Sequence, residues 1–564
     1  MTPLADTLSS KLSRLVSFGK QSNDPLTSLR AATHWIEQLP GGDAVKCQDM
    51  ILQQIKRLNE QAASPPRDGL ATLMLLDERV RDLQETLVTQ YLRNPRMSRP
   101  QESRLWHAVY ALYWETARGY HAAALRMARA SGRQSDAALT ARIALRAIRA
   151  VGQLLKWRAI RYLPAGDKLW LRLHSLYQIA ETSGFQHTRM QAYAADPCEG
   201  SCESSYLHIL MLQLAHSGSL YPRQIDLLDR WLLNWHGELR FAAHCDPETQ
   251  QFTIDLAADH GPRRARAQNA APTARCWNTA SLMGQLAEVQ TALQQSQPAA
   301  TLGLGEHTRT AESLELLGHL QQQWAPTAAR EQRRAPREAV KRLIDVAHGL
   351  SAIVNQFKTG DSGSSDSPYG STLNYRESDE LAIYGFVTER TRGDTSLMKT
   401  SSKTLGADVE RWVMHDVSEC GYGAFVEAHD MDWLRVGTLL AVKQHDEDTW
   451  KAGIVRRLAR HSDDLLSVGI ETLPQKPALV MLYTTATPGY TVNGVDNSGG
   501  SLPHASLWLD GHDGPDSLIV DPVHYAPGKI YRVAGIADRG HIALGSPIER
   551  SEGWMRVAAE PASV

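Results

Sequence analysis

The sequence predicts an α+β multidomain protein: an N-terminal α-helical bundle or set of stacked helical pairs, then a small β-barrel, then a further small β-rich segment. Three observations predict it. Apolar residues recur at spacings of three and four through residues 1–240, the period of an amphipathic helix. From about residue 331 the pattern changes to short runs rich in Val, Ile, Leu and Trp, bounded by Gly, Asp, Ser and Pro. The length of 564 residues sets a prior of about three or four domains. The expected divisions are 1–240 (helical), 241–330 (a mixed α/β connection), 331–480 (the barrel, with an inserted loop at 358–410) and 481–564 (the closing β-rich segment).

In the helical part, Asp68–Leu92, Gln101–Ala130 and Asp136–Tyr162 are rich in Ala, Leu, Arg, Gln and Glu. Leu70, Leu73, Leu75, Val80, Leu83 and Leu87 form one apolar series. Breakers fall between the periodic stretches, as at Asn94-Pro95 and Pro164-Ala165-Gly166. Short breaks between long helices favour antiparallel neighbours. No fixed repeat of solenoid length stands out. In the connection, Phe252–Leu256 reads as a strand, and Asn278–Gln294 and Ala311–Trp324 read as helices. Beyond it, Gly423–Ala428, Trp450–Arg460, Leu465–Leu473 and Ala478–Tyr483 read as strands of a small barrel or sandwich. Lys358–Thr372, rich in Gly, Ser and Asp, reads as a loop. Ile542–Val557 has the same strand-like texture, so a second barrel without motifs is one form the C-terminal segment could take.

Composition narrows the function. Sixty Lys and Arg against 62 Asp and Glu leave a net charge of -2, which excludes a general polyanion binder. Hydrophobic residues at 42% and charged residues at 22% exclude a disordered or collagen-like chain. Residues 1–20 lack a signal-peptide core, and the greasiest stretch, Tyr206–Ala215, is too short to span a bilayer. A cytoplasmic protein without a transmembrane segment is expected, with all six cysteines as free thiols.

Two short motifs carry chemistry. Arg333-Arg334-Ala335-Pro336-Arg337 places arginines beside a proline, just ahead of the β region. A guanidinium is always charged and presents a rigid fork of donors, suited to gripping phosphates or stacking on flat bases. Asp416-Val417-Ser418-Glu419-Cys420-Gly421 leads into the strand at 423–428. An acid and an alcohol two apart on an extended chain point to one side. A carboxylate can accept the paired N–H groups of a guanine edge. Gly421 is expected to supply a tight turn with positive φ, letting a ligand approach the backbone. Read singly, each motif also fits a solvated charge run or an ordinary turn.

Together, Arg-x-x-x-Arg and Asp-x-Ser-x-x-Gly resemble the two motifs of the PilZ domain family, the cyclic di-GMP receptors of bacteria. Val436–Leu440, Trp450–Arg457 and Val468–Glu471 continue the likeness, which covers about 331–480. The resemblance implies a six-stranded antiparallel barrel that binds cyclic di-GMP. It implies that Arg333 and Arg337, helped by Arg334, clamp phosphates and stack on guanines. Asp416 and Ser418 would read a guanine edge, and Gly421 would give the turn beside it. It further implies a signalling effector without a cofactor, acting on motility, biofilm or polysaccharide. Ligand would draw the Arg333–Arg337 segment onto the barrel and change its angle to the preceding α-rich part, through differential affinity for the two arrangements. One departure stands out: Arg337 and Asp416 are 79 positions apart, far more than is usual in the family. The insertion around 358–410 would absorb this, because closure entropy grows slowly with loop length.

Other constellations are weaker. His415, Asp416 and Ser418 lie too close together on one segment to form a relay triad. Cys198 and Cys202 lack a second pair for zinc, and Asp510, His512, Asp513 and Asp516 read as a polar turn. No enzymatic motif is present, so a non-catalytic protein is expected. Residues 93–161 hold 13 Arg and one Lys against three acids. Arg142, Arg146 and Arg149 share one helix face, as do Arg126, Arg129 and Arg133. These faces are either solvated or paired internally with acidic segments, or they are a dock for an acidic protein, nucleic acid or an anionic membrane surface. The expectation is a partner-binding helical output module, with nucleic acid disfavoured. The alternative is a ligand-independent scaffold that binds an acidic protein or nucleic acid through these helices.

Overall fold

Helix starts are written in the sequence as caps. Ser28 accepts from the Ala31 amide ahead of α1 (Leu29–Glu37), and Asp43 from Lys46 ahead of α2 (Ala44–Glu60). Asp136 accepts from Ala138 and Leu139 at the start of α5 (Ala137–Ile160). Ser201 and Ser204 form a reciprocal capping box on α7 (Cys202–Ala215). The remaining helices of this part are α3 (Gly69–Arg93), α4 (Arg99–Arg129), α6 (Leu169–Thr182) and α8 (Pro222–Trp235). The computed structural model describes residues 24–562 apart from 327–335, 362–408, 485–502 and short stretches between elements, 62–67, 130–135, 236–238, 266–270, 428–430, 462–464, 512–514 and 536–539 among them.

The chain divides into two units. The first holds α1–α8 and runs to residue 328, except for 162–164 and 217–221, which belong to the second. Its centre is α5, buried on nearly every face and packed on α4, α6, α7 and α8. On α3 the buried stripe runs Leu73, Leu76, Val80, Leu87 and Tyr91, with Asp77 and Gln84 buried alongside. Leu70, Leu75 and Leu83 of the expected series are only half-buried.

Of the two readings of the Arg142, Arg146 and Arg149 face, internal pairing holds for Arg146 and Arg149. Only Arg142 is exposed. Arg146 is 2% exposed; it donates to Glu78, to the Tyr120 hydroxyl at 3.1 Å and to the Ala192 carbonyl at 2.7 Å. Arg149 pairs with Asp196 at 2.5 Å. These guanidiniums tie α5 to α3 and to the chain after α6, since a buried charge needs a partner.

Beyond α8, strands β1 (Phe252–Asp255), β2 (Arg263–Arg264) and β3 (Ala274–Trp277) form an antiparallel sheet in the order β2-β1-β3, followed by α9 (Ala280–Gln294) and α10 (Thr310–Trp324). Six free thiols are not found: Cys245 and Cys276 form a disulfide, while Cys47, Cys198, Cys202 and Cys420 are free. The sheet brings together two cysteines 31 positions apart, a pairing that no local spacing announces.

His174 on α6 is fully buried, with Nδ1 2.7 Å from the Tyr206 hydroxyl and Nε2 3.3 Å from the His260 carbonyl. The neutral ring with its proton on Nε2 satisfies both contacts. Burial pushes its pKa down to about 4 from 6.5. Between those values the unfolded chain binds more protons than the folded one, so stability falls as pH drops through this window. The gap corresponds to about 3 kcal/mol. Urea titrations at pH 7 and pH 4 on wild type and His174→Phe check this. The variant is expected to lack about that much of the pH dependence, and parallel curves would contradict it.

The second unit contains two closed barrels. The first is built from β4 (Glu338–His348), β5 (Val409–Ser418), β6 (Gly421–Glu427), β7 (Leu439–Gln444), β8 (Lys451–Arg460) and β9 (Leu465–Thr472), in the order β4-β5-β6-β9-β8-β7. The second uses β10 (Ala478–Thr484), β11 (His504–Leu509), β12 (Ser517–Val520), β13 (Ile530–Ala534), β14 (His541–Arg550) and β15 (Met555–Pro561), in the order β10-β11-β12-β15-β14-β13. Strand for strand, the second order repeats the first, and all pairs are antiparallel. The expected boundary at 480 falls inside β10, which pairs with β11 and β13; the change of barrel lies before Ala478.

Each barrel has its own core, around Trp412, Met414 and Val468 in the first and around Trp508, Tyr531 and Val557 in the second. A third cluster joins them through α11 (Leu350–Asp361): Ile353, Val354 and Phe357 pack with Ile454, Leu507, Ile519 and Trp554. Trp554 Nε1 donates to the Gly437 carbonyl at 2.8 Å. The loop expected at 358–372 begins as the end of α11, and its remainder lies outside the described residues. Among the described residues no helix is long and apolar enough to cross a membrane.

Candidate functional site

A bulge in β5 between Met414 and Asp416 makes His415 the extra residue and resets the alternation, so that Met414 points into the core while Asp416 points out. The Asp416 carboxylate leans over β6. A methyl group on Gly423, its register partner, would stand 2.6–2.7 Å from the carboxylate atoms. Arg337, just ahead of β4, donates from Nη1 to Asp416 Oδ2 at 3.1 Å. His415 Nδ1 lies 3.2 Å from that same oxygen. The other oxygen, Oδ1, is buried and has no hydrogen-bond partner among the described residues. Buried carboxylate oxygens are ordinarily paired, so this one is an unpaired acceptor.

Ser418, two residues on, donates from Oγ to the Gly421 carbonyl at 3.3 Å. The expected reason for Gly421 is corrected. It sits in β6 and is absent from the positive-φ residues. A Cβ there would meet the Ile470 carbonyl oxygen at 2.1 Å, so strand packing requires glycine. Behind these groups the His415 ring lies 4.4 Å from Phe425, which is 5.8 Å from His461.

Of the expected site residues, Arg337, Asp416, Ser418 and Gly421 come together at one end of the β4–β5–β6 sheet. The 79 positions between Arg337 and Asp416 close to a single ion pair. Arg333 and Arg334 lie outside the described residues. Gly423 is the residue that motif reasoning missed; its signal is the second glycine of Gly421-Tyr422-Gly423, set opposite Asp416 by register.

The weaker constellations gain nothing. Cys202 is buried, and burial pushes its thiol up to about 12. Asp510 accepts from Trp508 Nε1, and Asp516 from the Gly511 amide, while His512 and Asp513 lie outside the described residues. Among the described residues no group of three metal-ligating side chains is assembled. The second barrel repeats the topology but not the acid–alcohol pair: Leu507, Trp508 and Leu509 close β11 where Asp416 and Ser418 close β5.

Residues 30–247 match the family described as the N-terminal domain of the cyclic-di-GMP receptor FimW. That stretch covers α2–α8 and nearly all of α1, and lies before both barrels. A curated relative, the cyclic-di-GMP receptor FimW of Pseudomonas aeruginosa (strain PAO1), is 25% identical over 325 residues, covering 57% of this chain and 52% of the relative. The chain therefore spans about half the length of the curated relative it matches, and its helical part is similar to the N-terminal domain of a receptor for a cyclic dinucleotide.

Proposed function

We propose that this chain is a non-catalytic cytoplasmic receptor for cyclic di-GMP, with the first barrel as a PilZ-like sensor and the helical unit as the output module. The observation that carries this is the unpaired Oδ1 of the Asp416 carboxylate, which lies over a glycine and is paired to Arg337 through its other oxygen, Oδ2. A guanine edge offers two N–H donors to such a carboxylate. Ser418 lies beside it, and Gly421 lets β6 and β9 pack closely behind. Arg337, with Arg333 and Arg334 on the preceding segment, supplies guanidinium forks for the phosphates and for stacking on the guanines. No cofactor takes part. The family match at residues 30–247 lies before the barrel, and the relative that matches over 57% of the chain is a cyclic-di-GMP receptor, which supports the same ligand. The scaffold alternative is weaker, because Arg146 and Arg149 are engaged internally.

Binding then trades one interaction for another. The Arg337–Asp416 pair is half exposed on the arginine side, so screening keeps it weak and it yields readily to a charged ligand. Calorimetric titration with cyclic di-GMP at two salt concentrations tests the reading. Wild type is expected to bind, more weakly at high salt. Arg337→Ala is expected to lose roughly tenfold or more, because a charge-assisted hydrogen bond is removed. Absence of binding by wild type, or equal affinity in the variant, would overturn it.

A further inference from the structure

The outward face beside Asp416 continues as a row across four strands. Asp416 on β5 pairs with Gly423 on β6, Gly423 with Gly469 on β9, and Gly469 with Arg457 on β8. Directly opposed residues of antiparallel strands project to the same side. Their neighbours Met414, Tyr422, Val468, Ile470 and Leu458 fill the core, so these four face out. With strands about 4.8 Å apart, the row runs about 14 Å from Asp416 to Arg457. Both middle positions are glycine: the Asp416 carboxylate lies over Gly423, which is buried, and Gly469 leaves the stretch between that carboxylate and Arg457 without a side chain of its own. A strip whose own two positions carry no side chain, with an anion at one edge and a cation at the other, suits a flat ring with hydrogen-bond donors on one side and a phosphate on the other once the carboxylate swings off Gly423 to meet the ring edge.

Arg457 is the cation of that far edge. It is exposed and has no ion pair among the described residues. Its neighbour Arg456 is engaged by Glu471 and Glu549. A methyl group on Gly469 would stand 3.2 Å from Arg457 Cβ, so the arginine stem rises directly from the margin of the strip. A methyl group on Gly218 would lie 3.3 Å from Arg457 Cγ, which puts the 217–221 segment alongside that stem. Arg457 belongs to neither sequence motif. Unlike Arg337 it is carried by a strand, so less of its backbone is left to order when ligand arrives.

We propose that Arg457 is a further ligand-binding residue of this site: it takes a phosphate of the cyclic dinucleotide whose guanine lies on the Gly423–Gly469 strip with its edge at Asp416. The inference rests on the receptor reading above. A doubly negative ligand held only from the Asp416 side would leave charge uncovered across the strip. A guanidinium fork at the far edge meets two phosphate oxygens at once.

The test is titration of cyclic di-GMP into wild type, Arg337→Ala, Arg457→Ala, Arg457→Lys and Arg457→Glu at two salt concentrations, with thermal melts to confirm folding. Arg457→Ala is expected to weaken binding roughly tenfold or more and to reduce its salt dependence. Arg457→Lys should recover the salt dependence but only part of the affinity, and Arg457→Glu should bind worst. If wild type binds and Arg337→Ala weakens it while Arg457→Ala and Arg457→Glu match wild type, the Arg457 inference fails and the receptor reading stands. If wild type does not bind, both fall.

Discussion

Lys156→Ala is expected to destabilise the helical unit by about 3–5 kcal/mol, the cost of breaking a buried ion set by removing one partner. Lys156 sits in α5 and is 5% exposed. Its Nζ lies 2.6 Å from Asp226 Oδ1 and 2.6 Å from Asp229 Oδ2. Asp229 also contacts His208 Nε2 at 2.7 Å and Gln153 Nε2 at 3.2 Å. Burial pushes the Asp229 carboxyl up, but the Lys156 charge and the His208 hydrogen bond outweigh it and hold the group well below the usual carboxylate range. Burial pulls Lys156 down, and the two carboxylates outweigh that and raise it. The depressed acid contributes stability above about pH 4 that is lost as pH falls; the raised amine contributes below about pH 10 and is lost as pH rises. Removing the amine leaves the Asp229 charge to His208 and Gln153 and the Asp226 charge to Arg230 alone, whose Nε lies 3.0 Å from Asp226 Oδ2. Lys156→Met keeps most of the volume and should cost nearly as much, which separates charge from cavity. Adding Asp226→Asn and Asp229→Asn to Lys156→Met should recover much of the loss, because it removes the stranded charges. Urea unfolding followed by circular dichroism reads the difference, with a midpoint drop on the order of 10 °C in a thermal scan. A change below about 1 kcal/mol, the range of an exposed pair, would show that the set is solvated in solution.

That set also marks where sequence reasoning reaches its limit. The spacing of three and four places the helices because burial of one stripe drives them. It does not say which charged residues go inward. Arg146, Arg149 and Lys156 look like a basic surface on a helical wheel, yet Glu78, Asp196, Asp226 and Asp229 come to them from other elements. Their partners are 47 to 73 positions away, beyond any local pattern. The Cys245–Cys276 disulfide is invisible for the same reason. In the barrels the alternation of two makes Asp416 and Ser418 legible as one outward pair, and the resemblance of the motifs implies a six-stranded antiparallel barrel but not its strand order. The glycine strip is not legible, because Gly423, Gly469 and Arg457 become neighbours only through the register of three strand pairs. The 79-residue separation from Arg337 to Asp416 likewise says nothing about proximity until β4 is laid against β5.

Gly423→Val is expected to abolish cyclic di-GMP binding, by a hundredfold or more, while the barrel stays folded. The two glycines of Gly421-Tyr422-Gly423 make opposite predictions because different atoms face them. At Gly421 a Cβ meets the Ile470 carbonyl oxygen at 2.1 Å, and the next contact is backbone as well. Neither strand can move aside without breaking the β6–β9 ladder, so Gly421→Val should unfold the first barrel. At Gly423 the atoms in the way are Oδ1, Cγ and Oδ2 of Asp416, at 2.6–2.7 Å. They end a side chain that can rotate toward solvent, and valine is well suited to a strand. The cost therefore falls on the site: the carboxylate turns away from the guanine edge and an isopropyl group stands on the strip. Losing two hydrogen bonds to a charged acceptor, at about 1.5–3 kcal/mol each, accounts for at least a hundredfold. Titration of both variants, with melts alongside, separates the cases. Gly423→Val should melt near wild type and give no heat of binding. Should it bind cyclic di-GMP as wild type does, the ligand does not lie against Asp416, and the barrel would be a receptor by some other face or none.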